Sequence, residues 1–427
     1  MRSGEVKALG RLAGEAVARP GVLARDVHRA VAGRTFGALG FLGAPVRVAH
    51  DAIANAAYAA VHTGLGALPR ASAVRVARAL PADAAALSAT VRGSLVLGAL
   101  NGAIGDALVR DYGDLALELV VRRGGREVVT DSPGLADAYP DATPKLAVFL
   151  HGLGETDEAW RVLPLAPRRA DRRTYGARLR EELGYTPVYV RYNTGLHVSD
   201  NARRLSEVLD HVVRAWPVEV EEIAIVGHSM GGLVARGACH YGERDSRAWT
   251  NHVRHVFCLG TPHMGAPLER AANAAGWAIG RLPETRPFAA LVNGRSAGIK
   301  DLRFGSCVED DWCDCDPDEL LHDRCAEVPF LACATYYFVG ATLTRDEDSP
   351  FGRIVGDLLV QFPSASGRGR KRTIPFEIDD GCHVGGIDHF QLLNHPKVYE
   401  QLRAWLERPP RQAAAKSLMR GRRVASQ

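Results

Sequence analysis

The amino-acid sequence predicts an α/β fold, a mostly parallel sheet with helices on both faces. Two patterns carry that reading. From about residue 115 onward, short apolar runs alternate with helix-patterned stretches, as parallel crossover connections require. At 221–236 one such run, Glu221 to Val226 (EEIAIV), passes through Gly227-His228-Ser229-Met230-Gly231 directly into a helix-forming stretch. A turn that tight strains its central residue and needs small neighbours so that backbones can approach. It holds the Ser229 hydroxyl out at the end of the sheet, in front of a helix N-terminus whose free N–H groups and positive dipole end favour an anion.

Residues 1–110 form an N-terminal segment of Ala, Val, Leu, Gly and Arg with helix-like periodicity, as in Val74 to Leu80. It holds 13 Lys/Arg against 6 Asp/Glu, and its centre from Thr35 to Pro69 carries only Arg47 and Asp51. Two readings fit: a helical cap packed on the main domain or against a second copy, and peripheral attachment to an anionic lipid surface. Leu115–Arg122 and Glu127–Thr130, separated by Arg-Gly-Gly-Arg, read as a hairpin at the sheet edge. Strands are expected at Leu146–Leu150, Pro187–Tyr192, Ile223–Val226, Val253–Leu259 and Tyr336–Ala341, with helices such as Asp200–Ala215 and Pro396–Leu406 between or after them. The long interruption at about 265–330 reads as a lid-like insertion. The tail 408–427, with six basic residues and no acidic one, reads as a structureless arm.

Composition narrows the partners. The chain of 427 residues is 46% hydrophobic and 24% charged, enough to bury a substantial core. A net charge of only +4 gives no reason to expect nucleic acid. The N-terminus carries charges throughout and does not read as a secretory signal. Ala52–Pro69 is too short and too weakly apolar for a spanning helix, which needs about 20 residues. A cytoplasmic location, peripheral to a membrane on the lipid-attachment reading, and eight reduced cysteines follow as expectations. In Cys307 to Cys325 the cysteine spacings are irregular for zinc, and Glu319 and Cys325 stand where a calcium loop needs Gly and Glu. That stretch reads as a solvated acidic lid, and no metal is expected.

A serine hydroxyl needs a base, an orienting carboxylate and an oxyanion hole before it attacks a carbonyl. His151-Gly152-Leu153-Gly154 follows the strand LAVFL directly and can curve round beside Ser229. The motifs HGLGETD (151–157), YNTG (192–195), GHSMGGLVAR (227–236), LGTPHMGAP (259–267), GDLLV (356–360) and HF-x-LLNHP (389–396) together resemble the α/β-hydrolase superfamily. Within it they are similar to the lipase-like branch that includes GPI inositol deacylase-type and bacterial triacylglycerol-lipase-type proteins. The resemblance spans about residues 115–407.

It implies an α/β-hydrolase fold and the chain order serine, acid, histidine. Ser229 would be the nucleophile, and the amides of Leu153 and Met230 would form the oxyanion hole. His389, in the glycine-flexed loop GGIDHF, would be the base in preference to His383 and to His395, which reads as a helix start. Asp357 would be the acid. The family often shows Asp-Gly-x-Val there, and this chain has Leu358 in place of that glycine, so Asp346 and Asp348 stay open as alternatives. The implied activity is hydrolysis of carboxylic esters through an acyl-enzyme, without a cofactor. The insertion and the apolar N-terminal segment favour a hydrophobic acyl group. Two other readings stand beside it, an acyltransferase using the same residues and a non-catalytic lipid-surface binding protein.

Overall fold

The computed structural model describes residues 1–40, 44–162, 173–346, 349–369 and 371–408. Apart from Arg408, the basic tail lies outside the described residues, and so does Asp348. Eight strands form one sheet: β1 (Val120–Arg123), β2 (Arg126–Val128), β3 (Lys145–Leu150), β4 (Tyr185–Arg191), β5 (Glu222–His228), β6 (Val253–Leu259), β7 (Thr335–Thr342) and β8 (Gly381–Gly385). Their order is β2-β1-β4-β3-β5-β6-β7-β8. The β1–β2 and β1–β4 pairs are antiparallel, and every other pair is parallel.

Period-two alternation divides the sheet's side chains between two cores. Along β3, Leu146, Val148 and Leu150 face one core, which includes Val212 of the helix Val198–Ala215 and Leu233 of the helix Met230–Arg244. Ala147 and Phe149 face the other, closed by Tyr399, Leu402 and Trp405 of the helix Pro396–Leu406. Both faces are buried, which is why β3 and β5 read as continuous apolar runs.

The structure departs from the sequence reading at three elements. The hairpin is shorter than expected, because Gly113–Leu115 is a 3-10 turn and pairing starts at Val120, opposite Arg191 of β4. β8 (GCHVG) has no apolar run and escapes a hydrophobicity reading, yet it pairs in parallel with β7. A helix spanning Ala44–Ala79 runs through Pro69, the last residue of the stretch Ala52–Pro69.

The N-terminal segment comprises α1 (Ser3–Leu39), α2 (Ala44–Ala79) and α3 (Val91–Asp111). α1 and α2 form an antiparallel hairpin about 54 Å long at 1.5 Å per residue. Glycines let the two backbones close up: a Cβ on Gly14 would meet Gly66 O at 2.7 Å, and one on Gly10 would meet Pro69 O at 3.0 Å. α1 joins α3 in a small core of Ala8, Leu97, Leu108, Tyr112, Leu115 and Leu117. No helix among the described residues is long and apolar enough to cross a membrane.

Trp405 ties the last helix to the sheet, fully buried with its ring 4.7 Å from that of Tyr337. Trp405→Ala should destabilise the fold by about 3–5 kcal/mol, read as a lower midpoint in urea unfolding. An unchanged midpoint would mean that the helix is not held by this contact.

Candidate active site

Ser229 sits between the end of β5 and the helix Met230–Arg244 with φ 54° and ψ −122°, a conformation that non-glycine residues rarely adopt. Its N–H donates to Leu259 O of β6 at 2.8 Å, and its carbonyl accepts from Gly232 N at 3.1 Å. The close approach is strict. A Cβ on Gly227 would lie 2.5 Å from Gly231 C, and one on Gly231 would lie 2.5 Å from Leu150 O.

Beside this elbow, the loop after β3 is fixed on both sides of Leu153. Gly152 N donates to Glu155 Oε2 at 2.6 Å, and Gly154 N donates to Thr194 Oγ1 at 3.0 Å. The Leu153 and Met230 amides have no acceptor among the described residues. α3 lies directly behind the loop. A Cβ on Gly98 would meet Glu155 O at 2.8 Å, one on Gly102 would meet Gly154 Cα at 2.8 Å, and one on Gly105 would meet Asn193 Oδ1 at 2.0 Å. Ser296 Oγ donates to Gly102 O at 2.6 Å and ties α3 to the insertion. The N-terminal segment, for which one reading is a cap packed on the main domain, thus places a helix behind the loop that lines the site.

Asp357 and His389 meet from opposite sides of β8. Asp357 Oδ2 is 2.7 Å from His389 Nδ1, and both side chains are buried. Asp357 Oδ1 accepts from Val360 N at 2.8 Å and Leu359 N at 3.1 Å, while His389 N donates to Asp357 O at 3.0 Å. A carboxylate at Nδ1 accepts a hydrogen bond from Nδ1–H, which keeps the proton on that nitrogen and leaves the Nε2 lone pair free. Nε2 is buried and has no hydrogen-bond partner among the described residues. Leu358, where the related motif has glycine, adopts φ 90°, which is the reason a glycine suits that position.

The other candidates lie elsewhere. Asp346 follows β7, and its carbonyl accepts from Thr344 Oγ1 at 3.0 Å. His383 lies on β8 with Nε2 2.8 Å from Thr342 Oγ1, and His395 precedes the last helix, its N–H on Tyr175 OH at 2.7 Å.

Ser229, His389, Leu153 and Glu155 line one cavity of about 300 Å³. The insertion supplies the apolar wall through Ala266, Leu268, Ala272, Ile299 and Leu302. One ion pair interrupts it: Arg295 donates to both oxygens of Glu269 at 2.8 and 3.0 Å, with Arg303 on the same carboxylate at 3.2 Å. The insertion is built of helices Pro267–Ile279, Arg286–Asn293 and Ala297–Asp301. Its acidic stretch is only partly solvated. Asp314 and Asp316 are exposed, but Asp311 is buried because it accepts from Cys307 N, Val308 N and Ala326 N at 2.8 to 3.2 Å.

A parallel sheet entered by an antiparallel hairpin, with a strained serine after its fifth strand and a His–Asp pair after the last two, decides the architecture. The chain has the α/β-hydrolase fold. Within this fold, residues 189–278, from β4 through the elbow into the insertion, match the PGAP1-like alpha/beta domain family and carry the resemblance to the lipase-like branch. No curated protein matches the chain. Solved structures with a similar α/β-hydrolase arrangement include the Bacillus licheniformis lipase BlEst2 in mature form, 19% identical over 61% of this chain and 91% of that one, TM-score 0.39. A lipase-esterase related protein from Clostridium acetobutylicum is 15% identical over 61% and 94%, TM-score 0.30. An alpha/beta hydrolase fold protein from Chitinophaga pinensis is 10% identical over 62% and 90%, TM-score 0.34. At such values the assignment of the α/β-hydrolase fold rests on strand order and elbow.

Sequence reasoning missed Glu155, the Glu269–Arg295 pair and the glycines of α3. Only Gly98, Gly102 and Gly105, spaced for one helix face, gave a signal. Gly231→Ala tests the elbow. The added methyl meets backbone that cannot swing aside, so the substitution should destabilise the protein by about 1–3 kcal/mol in urea unfolding. A wild-type midpoint would show that the elbow has room to spare.

Proposed function

We propose that this protein is a serine hydrolase of carboxylic esters with a preference for hydrophobic acyl groups. The observation that carries the reading is the His389 ring, pinned at Nδ1 by Asp357 and left unpartnered at Nε2 on the cavity that holds Ser229. A buried nitrogen without a partner calls for a reason, and a base awaiting a proton supplies one.

Ser229 Oγ attacks the ester carbonyl while His389 Nε2 takes its proton. The carbonyl oxygen, now an anion, is held by the Leu153 and Met230 N–H groups at the head of the helix Met230–Arg244. His389 returns the proton to the leaving alcohol as the C–O bond breaks, which leaves an acyl-Ser229 ester. Water, deprotonated by the same nitrogen, then releases the acid and restores Ser229. Asp357 keeps the imidazole in the productive tautomer and stabilises the imidazolium. The apolar wall from the insertion supports an acyl chain as the buried part of the substrate.

A fluorophosphonate probe should label the folded protein at Ser229, read by mass spectrometry of the modified peptide. Asp357→Asn should lower kcat on a p-nitrophenyl ester by about 10⁴. Labelling at another serine, or near wild-type turnover by Asp357→Asn with a large loss in Asp346→Asn, would overturn the assignment.

We also infer that the α1–α2 hairpin docks the enzyme on anionic lipid. Val46, Ile53, Leu65 and Leu68 recur at helical spacing along α2 and are exposed, Ile53 and Leu68 by more than 70%. The basic excess of residues 1–110 complements an anionic surface, an attraction that salt screens. Ile53→Glu/Leu68→Glu in the full chain should reduce co-sedimentation with phosphatidylglycerol vesicles at low salt and leave turnover of a soluble ester unchanged. Equal co-sedimentation of wild type and variant would instead support the cap reading.

A further inference from the structure

The residue before the nucleophile occupies an unusual position. His228 is fully buried, and each of its ring nitrogens meets an oxygen from a different loop. Nδ1 is 3.1 Å from Glu155 Oε2 and Nε2 is 3.1 Å from the carbonyl oxygen of His389. A carbonyl oxygen only accepts, so Nε2 must carry a proton. Glu155 Oε2 also accepts from Gly152 N at 2.6 Å, the short approach of an ionised carboxylate. Nδ1 must then donate as well. An imidazole with both nitrogens protonated is a cation.

We infer that His228 is an imidazolium at neutral pH, held by Glu155, that acts as a positioning residue clamping the His389 loop to the loop carrying Leu153. The inference rests on the reading of Ser229 and His389 as the reacting pair. The clamp joins three pieces of chain at one point: the end of β5, the loop after β3 and the loop after β8. If the ring lost a proton, one of its two oxygens would face a lone pair. Either the His389 carbonyl would be pushed away, shifting the base, or the Glu155 carboxylate would be, loosening Gly152 beside the oxyanion amide.

Electrostatics agree with the geometry. Burial alone would drive the proton from His228. The Glu155 charge and its hydrogen bond reverse that effect, helped by the His389 carbonyl and the Asp357 charge, and hold the ring above the ordinary histidine range. Burial likewise disfavours the Glu155 anion, and His228 and the Gly152 amide overcome it, so Glu155 ionises below the ordinary glutamate range. Among the described rings, the His389 imidazole lies 4.7 Å from His228 between centroids and the edge of Trp160 6.3 Å, while the His151 side chain also acts on the Glu155 carboxylate.

The two histidines then need opposite states. His389 works as a neutral base and His228 as a cation, so activity should fall on the alkaline side when His228 releases its proton.

The direct test is ¹⁵N NMR of histidine-labelled full-length protein at pH 8. A ring with both nitrogens protonated should be present and should vanish in His228→Gln. A neutral His228 ring overturns the inference, and this readout stands even if no ester is turned over. Where turnover is measured, Glu155→Gln should move the alkaline fall of kcat downward by about one to two pH units with little change in KM. Glu155→Asp, which keeps the charge, should restore much of the range. A role confined to folding would lower the amount of active enzyme and leave the alkaline limb where it was, and that result would also overturn the clamp.

Discussion

The backbone of Ser229 is the constraint on which the rest of the site depends. A serine at φ 54° costs about 1–3 kcal/mol relative to an unstrained position and persists only if its surroundings allow no alternative. Those surroundings come from three adjacent strands. β5 delivers the residue, β6 takes its N–H through Leu259, and the end of β3 leaves no room for any side chain at Gly231. The sheet is thus more than a platform. Its three middle strands act together as a vice on one peptide, and the helix that follows is aimed by the same grip.

Two histidine–carboxylate pairs lie side by side beneath the cavity and differ in one respect. At His389 the carboxylate is on Nδ1 and the second nitrogen meets the cavity, whereas at His228 the carboxylate is also on Nδ1 but the second nitrogen meets a carbonyl. The same pair chemistry therefore gives a ring free to accept a proton in one case and a ring with no place to accept one in the other. What distinguishes a working group from a supporting one here is the third partner.

Legibility in the sequence followed the range of the interactions. The elbow, the HGLG loop and the helix Pro396–Leu406 were readable because a few contiguous residues encode them: apolar run, glycines, proline at the helix start. Asp357 was readable only in part. Its motif lacks the expected glycine, and the φ of 90° at Leu358 that accounts for glycine there is invisible in one dimension. β8 was missed because GCHVG owes its strand conformation to pairing with β7 and not to its own residues. Nothing in HGLGETD marks Glu155 as a partner of His228, and the oxygen on the far side of that ring comes from a residue 161 positions later. The glycines of α3 belong to a segment that sequence patterning had set apart from the hydrolase domain.

That attachment of α3 bears on how the protein is made. Among its anchors, Asn193, which donates to Gly105 O, and Ser296 lie far downstream, Ser296 being 194 residues beyond the Gly102 carbonyl it holds. At about 5–20 residues per second, a ribosome needs roughly 10–40 s to supply that serine after Gly102 has been made. For that interval the glycine face of α3 has no downstream partner to cover it. The loop carrying Leu153 cannot gain its backing until then. Vectorial synthesis thus seats α3, made early, against the site only late, and the nascent protein stays without a complete site until most of its length has emerged.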